Sequence, residues 1–223
     1  MSEVSEQSAG AAELGDEMQY GLKWNPNPPV TVPQLVAIAL AAGVYTILAW
    51  IGVIGLPFQI PGISALFIAM GFGVPFAIWF GGWGMVIGFI GTAVGAGILS
   101  GLPLPVSLAF GIGDIILFGS LFLLYRGLAP RFGVDPIARD VFTKRGIVFF
   151  FIFAAVIPHI LGAIYGIGLL YLVGFVPQDL IVVSFFGFWI GNAFVVMVIA
   201  PILLKLLTPV VERQGLTSYG WWT

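Results

Sequence analysis

The segment FGGWG, residues 80–84, decides the fold, because the number of membrane spans depends on whether it interrupts a helix. If the glycines end a helix, the apolar runs 61–80 and 83–100 are two spans; otherwise they form one long bent helix. The basic residues favour two spans. Six spans in total place all eight Lys and Arg residues on one side of the membrane, as the positive-inside rule expects. Merging the two runs would place the C-terminal basic pair opposite either the long loop or Lys23.

The composition places the chain in a lipid bilayer. Of its 223 residues, 60% are hydrophobic and 8% are charged, whereas about 25% of the residues of a soluble domain are charged. A span needs about 20 apolar residues, so the chain has room for about six. A net charge of -2 provides no basic stripe, which excludes nucleic-acid binding. Without cysteine and with a single histidine, we expect no metal site and no cofactor.

The sequence therefore predicts an all-α integral membrane protein, a six-transmembrane-helix bundle in the plasma membrane with both termini cytoplasmic. Residues 1–32 are predicted to be an acidic cytoplasmic tail with a proline-rich entry, and 33–208 the six-helix membrane domain. Residues 209–223 form a C-terminal tail whose aromatic side chains either anchor at the lipid interface or fray. The six predicted spans are 33–53, 61–80, 83–100, 103–125, 146–173 and 179–207.

Three polar side chains are predicted at a similar depth in the membrane. Asp114 lies in the fourth span, His159 in the fifth and Asn192 in the sixth. Ionisable groups are costly in hydrocarbon and therefore suggest function, and a ligand pocket is oriented by a few convergent polar groups. We interpret the three as a buried ligand site. The alternative is that they only hold neighbouring helices together.

Enzymatic activity is not expected. The string GIGD, residues 111–114, matches the GxGD motif of intramembrane aspartyl proteases. That chemistry needs two carboxyl groups that share a proton, and every other aspartate lies in a predicted tail or loop. His159 has no serine in a GxS-like setting that would make a nucleophilic pair. The chain also lacks a GxxxxGK[ST] motif, so it cannot hydrolyse ATP itself.

Small residues are spaced for close helix packing. Ala37 and Ala41 form an AxxxA motif in the first span, and the third span has glycines at 84, 88, 91, 95 and 97. Small residues four apart let two membrane helices approach closely. For the third span we favour packing within the bundle. For the first span, a membrane partner is a fair alternative.

These motifs resemble the substrate-binding S components of energy-coupling factor (ECF) transporters. The features in common are the early AxxxA motif, the segment LPFQIPGIS at 56–64 and the glycine-rich third span, and they cover about 33–208. The resemblance implies capture of a vitamin or vitamin precursor, a small-molecule substrate, for import. It also implies docking through Ala37 and Ala41 on a membrane coupling subunit driven by ATPase subunits. By position, it implies five substrate-binding residues: Gln59, Asp114, His159, Trp189 and Asn192.

Two functions remain open. The first is the substrate-capturing subunit of such an importer. The alternative is a sensory or structural membrane subunit of a larger complex, without ligand transport.

Overall fold

The computed structural model describes residues 20–22, 24, 30–55, 64 and 66–222. Two helical segments contain a π-helical turn. The helix that begins at Trp83 continues through Thr92–Gly97, and a second π-helical turn, Phe151–Val156, joins Lys144–Phe150 to Ile157–Leu172. The helices are α1 Val32–Gly55, α2 Ala69–Phe80, α3 Trp83–Gly91, α4 Leu104–Leu128, α5 Lys144–Phe150, α6 Ile157–Leu172 and α7 Ile181–Arg213.

Within the described ranges, five helical segments are long and apolar enough to cross a membrane. Their outward faces are apolar as well, which suits contact with lipid. On α7, for example, every fourth residue from Val182 to Leu206 is exposed and hydrophobic. These observations confirm the prediction of an all-α multi-pass membrane protein. The five segments are Val32–Gly55, Trp83–Ser100, Leu104–Phe132, Lys144–Leu172 and Gln178–Arg213.

The prediction of six full-length spans is wrong for the described chain. The predicted second span, 61–80, is helical only over the 12 residues of α2. At 1.5 Å per residue, α2 is about 18 Å long, whereas the hydrocarbon core is about 30 Å thick. Residues 66–68, just before α2, are not helical. Apolar composition alone therefore overestimated the length of this element.

The predicted break between the second and third spans is present. Gly81 has a φ of 59°, a left-handed conformation that ends α2 and favours glycine. The chain then reverses, so that α2 and α3 form a hairpin. A Cβ atom on Gly84 would lie 2.5 Å from Cα of Ala77, so only glycine permits this approach.

The two ends of the described chain meet at one end of the bundle. The hydroxyl of Tyr20 donates a hydrogen bond to Glu212, at 3.1 Å. The Nε1 atom of Trp221 donates to the carbonyl of Leu22, at 3.2 Å. Arg139, in the long basic loop, lies 3.3 Å from Glu212. The basic loop and both ends of the described chain are therefore on the same side of the bundle.

The C-terminal segment 214–222, which we call the strap, folds back on this end of the bundle. The predicted membrane domain ended at 208, but α7 continues to Arg213 before the strap begins. Trp221 packs edge-on against Phe122, with ring centroids 5.2 Å apart, and Trp222 packs against Trp83 at 5.3 Å. The aromatic residues of the tail thus contact the helices themselves.

Candidate functional site

Asp114 is at the centre of a polar cluster made by three helical segments. It lies on α4 and is buried. The hydroxyl of Tyr45, on α1, donates to Oδ2 of Asp114 at 2.8 Å. The hydroxyl of Thr92, at the start of the π-helical turn after α3, donates to the same oxygen at 2.5 Å. Two hydroxyl groups therefore fix one carboxyl oxygen in an apolar bundle.

Glycines of α3 make this cluster possible. A Cβ atom on Gly91 would lie 2.1 Å from the ring of Tyr45. A Cβ atom on Gly88 would lie 2.4 Å from the ring of Phe118 and 3.0 Å from Cβ of Asp114. The small-residue face of the third predicted span therefore packs inside the bundle, as expected, and brings α1 and α4 close to α3.

A small cavity adjoins Asp114. Its volume is about 20 Å³, enough for about one water molecule, whereas pockets for drug-sized ligands measure about 300–1,000 Å³. The wall is mostly apolar and includes Phe67, Met70, Phe110 and Phe188. Asp114 is the only ionisable side chain among the described residues that line it.

The two oxygens of Asp114 differ in their surroundings. Oδ2 accepts both hydroxyl hydrogen bonds. Oδ1 accepts none from the described residues. A carboxylate has room for about four hydrogen bonds, so Oδ1 is available to a ligand in the cavity.

His159 and Asn192 lie near this cavity but do not line it. Both are fully buried. Within the described chain the amide atoms of Asn192 have no hydrogen-bond partner, and the ring of His159 interacts with the backbone of Ala154 and Ala155, in the preceding π-helical turn, without a hydrogen bond of good geometry. His159 is three residues before Gly162, and Asn192 is four residues after Phe188; both of those neighbours line the cavity. Each polar side chain is thus about one helical turn from the site. No hydrogen bond joins any two of Asp114, His159 and Asn192 within the described chain.

The other predicted site residues lie elsewhere. Trp189 packs against the ring of Phe185, with centroids 6.2 Å apart, and does not line the cavity. Gln59 lies outside the described residues. Ala41 is only 5% exposed, and Ala37 is half-buried against the core, so the AxxxA motif packs largely within the bundle.

Sequence reasoning missed Tyr45 and Thr92. Both are hydroxyl residues inside predicted apolar spans. A carboxyl group buried in a membrane needs hydrogen-bond donors, and that requirement was the available signal. It does not say which of several hydroxyl groups meets Asp114, because that depends on the packing of the spans.

Neither a metal-binding cluster nor a second carboxyl group is found at this site within the described part of the chain. Among the residues that the structure describes, no group of three His, Cys, Asp or Glu side chains is placed to hold a metal ion. No second carboxyl group lines the cavity, so the GxGD string does not form a pair of carboxyl groups in the described chain.

Comparison with known proteins corrects the resemblance drawn from the motifs. The family model of MASE1, a membrane-associated sensory domain of multi-pass membrane proteins, matches residues 34–222. The resemblance to ECF S components is therefore wrong, and the match favours the alternative, a sensory membrane subunit, over vitamin import. Motifs of small and apolar residues are common to many helical membrane proteins, which explains the error. No curated protein and no solved structure matches the chain.

Proposed function

Because the chain belongs to the MASE1 family of sensory membrane domains, we propose that it is a non-enzymatic sensor of a small cation that carries hydrogen-bond donors. Asp114 receives this ligand. Ammonium is the simplest member of the class.

The environment of Asp114 supports this proposal. Two hydroxyl groups bind Oδ2 and orient the carboxyl group, and Oδ1 has no partner in the described residues. A bound cation favours the ionised form of the carboxyl group, and that form only accepts hydrogen bonds, so the matching ligand is a donor. A charge buried in a membrane is stabilised by an opposite charge, so a cationic donor suits this site best.

The size of the cavity limits the ligand. A volume of about 20 Å³ admits a molecule about as large as water. A vitamin-sized molecule would require the bundle to open. A water-sized cation fits beside Asp114 without such a change.

Thermal unfolding of the chain in lipid nanodiscs tests the proposal. Ammonium, methylammonium and tetramethylammonium chloride are compared at constant ionic strength, since tetramethylammonium carries the charge without a donor. Ammonium is expected to raise the Tm, because ligand at 100 times its Kd stabilises the native state by about 2.7 kcal/mol. Tetramethylammonium should have no such effect.

Matched variants show whether the rise in Tm with ammonium depends on Asp114. Asp114→Asn should abolish the ammonium effect. Ser120→Ala is the control, because Ser120 lies on the same helix and bonds only the carbonyl of Leu117, at 2.8 Å; this variant should keep the effect. An equal rise in Tm for Asp114→Asn and the wild type would overturn the proposal.

We also propose that the strap end of the bundle faces the cytoplasm. The exposed Lys144 and Arg145 lie at this end, close to the long basic loop, in agreement with the positive-inside rule. In right-side-out vesicles, a cysteine introduced by Lys144→Cys should not react with a membrane-impermeant maleimide. Reaction without permeabilisation would show the opposite orientation.

A further inference from the structure

We infer that α2 couples the Asp114 site to the strap, so that a change at the site alters how firmly the strap docks. This inference rests on the proposed sensory function. It follows from the contacts that α2 makes at its two ends.

The N-terminal end of α2 lines the cavity beside Asp114. Phe67, just before the helix, and Met70, in its first turn, line the cavity. The Tyr45 hydroxyl lies 2.8 Å from Oδ2 of Asp114 and 3.5 Å from Sδ of Met70. Its single proton therefore has two acceptors, one on Asp114 and one on α2. A ligand that alters the first hydrogen bond also alters the second.

The C-terminal end of α2 is capped by the strap. The last four carbonyl groups of a helix have no partner within it. Here the carbonyl of Trp79 accepts from the backbone N–H of Ser218, at 2.8 Å, and that of Phe80 accepts from the Ser218 hydroxyl, at 3.1 Å. The carbonyl of Ile78 accepts from Arg126, at 2.5 Å. Hydrogen-bond donors of the strap thus pair with carbonyl groups that α2 itself leaves without a partner.

Arg126 connects the strap to the end of α2. The residue is 1% exposed, and its guanidinium donates to the carbonyls of Ile78 on α2 and Ser218 on the strap. The ring faces of Tyr20 and Phe122 lie 5.7 and 5.2 Å away. No carboxyl group forms an ion pair with it in the described chain. If the strap leaves, this buried charge loses half of its acceptors, so partial undocking is unfavourable.

Close packing along α2 transmits a displacement from one end to the other. A Cβ atom on Gly73 would lie 2.5 Å from the rings of both Tyr45 and Phe118, and one on Gly71 would lie 2.7 Å from Ile199. A helix packed this tightly cannot absorb a shift locally. A movement of Met70 therefore reaches Trp79 and Phe80.

Reactivity of a buried cysteine on the strap tests the coupling. The chain has no cysteine, so Ser218→Cys introduces a single thiol at a position that is 2% exposed. In nanodiscs, its rate of reaction with a water-soluble maleimide reports undocking of the strap. Hydrogen exchange of the peptide 214–222 in the chain without the cysteine provides a second measurement.

Three substitutions in this background are expected to raise the rate. Arg126→Ala removes the docking contact and should raise it about tenfold, as for a loss of about 1.4 kcal/mol; Arg126→Lys, which keeps the charge, should have a smaller effect. Asp114→Asn, remote from the strap, should raise it about threefold, whereas Ser120→Ala should leave it unchanged.

Displacement of α2 without a substitution at Asp114 should have the same effect. Gly73→Ala pushes α2 away from Tyr45 and Phe118 and is expected to raise the rate. Gly43→Ala is its control, because a Cβ atom there meets no atom within 4 Å. Wild-type rates of labelling and exchange in both Asp114→Asn and Gly73→Ala would overturn the coupling.

The two proposals fail separately. If ammonium stabilises the chain through Asp114 while Asp114→Asn leaves the strap unchanged, the sensing function holds and the coupling is wrong. If Asp114→Asn and Gly73→Ala release the strap but ammonium does not bind, the coupling holds and the ligand class is wrong.

Discussion

Tyr45 and Asp114 join two helices that are far apart in the chain, through a hydrogen bond of 2.8 Å between a hydroxyl and a carboxyl oxygen. Both side chains are buried. The same hydroxyl lies within reach of Met70 on α2. The Tyr45 hydroxyl therefore connects the only ionisable group among the described lining residues to α2, the helix on which the strap docks.

Removal of the Tyr45 hydroxyl should destabilise the bundle. In Tyr45→Phe the ring contacts stay, but Oδ2 of Asp114 loses one of its two donors. We expect a loss of about 1–2 kcal/mol in unfolding free energy, measured by thermal unfolding in nanodiscs. Tyr165→Phe is the control, since that hydroxyl bonds a backbone carbonyl in a half-buried position. An equal or larger loss in the control would argue against a special role for Tyr45.

A methyl group on α3 should disrupt the site through packing alone. In Gly91→Ala, the new Cβ would lie 2.1 Å from the Tyr45 ring, so the helices must separate. We expect a loss of about 1–3 kcal/mol. Gly43→Ala, in open space on α1, should be neutral or gain about 0.5–1 kcal/mol, because alanine favours a helix more than glycine does. Similar Tm values for the two variants would contradict the packing.

His159 should tolerate an apolar replacement. Its ring nitrogens are buried and interact with the backbone of Ala154 and Ala155, but they form no hydrogen bond of good geometry in the described chain. Replacing a polar group that is satisfied only in part removes part of a desolvation cost of about 1–3 kcal/mol. His159→Leu is therefore expected to keep or raise the Tm and to keep the ammonium response. A drop in Tm would show that His159 ties helices together, and loss of the response alone would place it in the ligand site.

Asp140, in the loop outside the membrane spans, should make stability depend on pH. Burial raises the pKa of its carboxyl group above the usual value, and the hydrogen bond from the Asp135 backbone opposes this shift only in part. A raised pKa in the folded state means that its contribution to stability is present at low pH. That contribution is lost as pH rises through the folded pKa.

The variant Asp140→Asn should therefore lose less stability than the wild type as the pH rises through the acid range. Thermal unfolding across this range measures the difference. Asp179→Asn, which removes an equal charge from an exposed position, should follow the wild type. Parallel curves for Asp140→Asn and the wild type would exclude this contribution.

Some of this architecture could be predicted from the sequence. Apolar runs long enough to cross a bilayer predicted helices, and Gly81 and Gly82 marked the break between α2 and α3. The short length of α2 was not predictable, because apolar composition does not distinguish helix from the irregular segment before it. Asp114 stood out because an isolated carboxyl group is costly in hydrocarbon. Its hydrogen-bond partners, Tyr45 and Thr92, did not stand out, because hydroxyl groups are common in membrane spans. Only the packing of the helices decides which of them reaches Asp114.

The strap was the least predictable part. Its aromatic residues suggested contact with lipid headgroups or fraying. In the structure, the acceptors of Arg126 are backbone carbonyls of Ile78, Trp79, Ser218 and Gly220. Backbone groups have no signature in a sequence. A buried arginine near the end of a span indicates that something must cover it, but not which segment does so.

Hydrogen exchange of the strap in the native chain, measured with and without ammonium, tests whether the Asp114 site and the strap are linked. We expect ammonium to change the exchange rate of residues 214–222 in the wild type and tetramethylammonium to leave it unchanged, and we expect Asp114→Asn to show no change with either. Identical exchange of the strap with and without ammonium, under conditions where ammonium raises the Tm, would contradict a link between the Asp114 site and the strap.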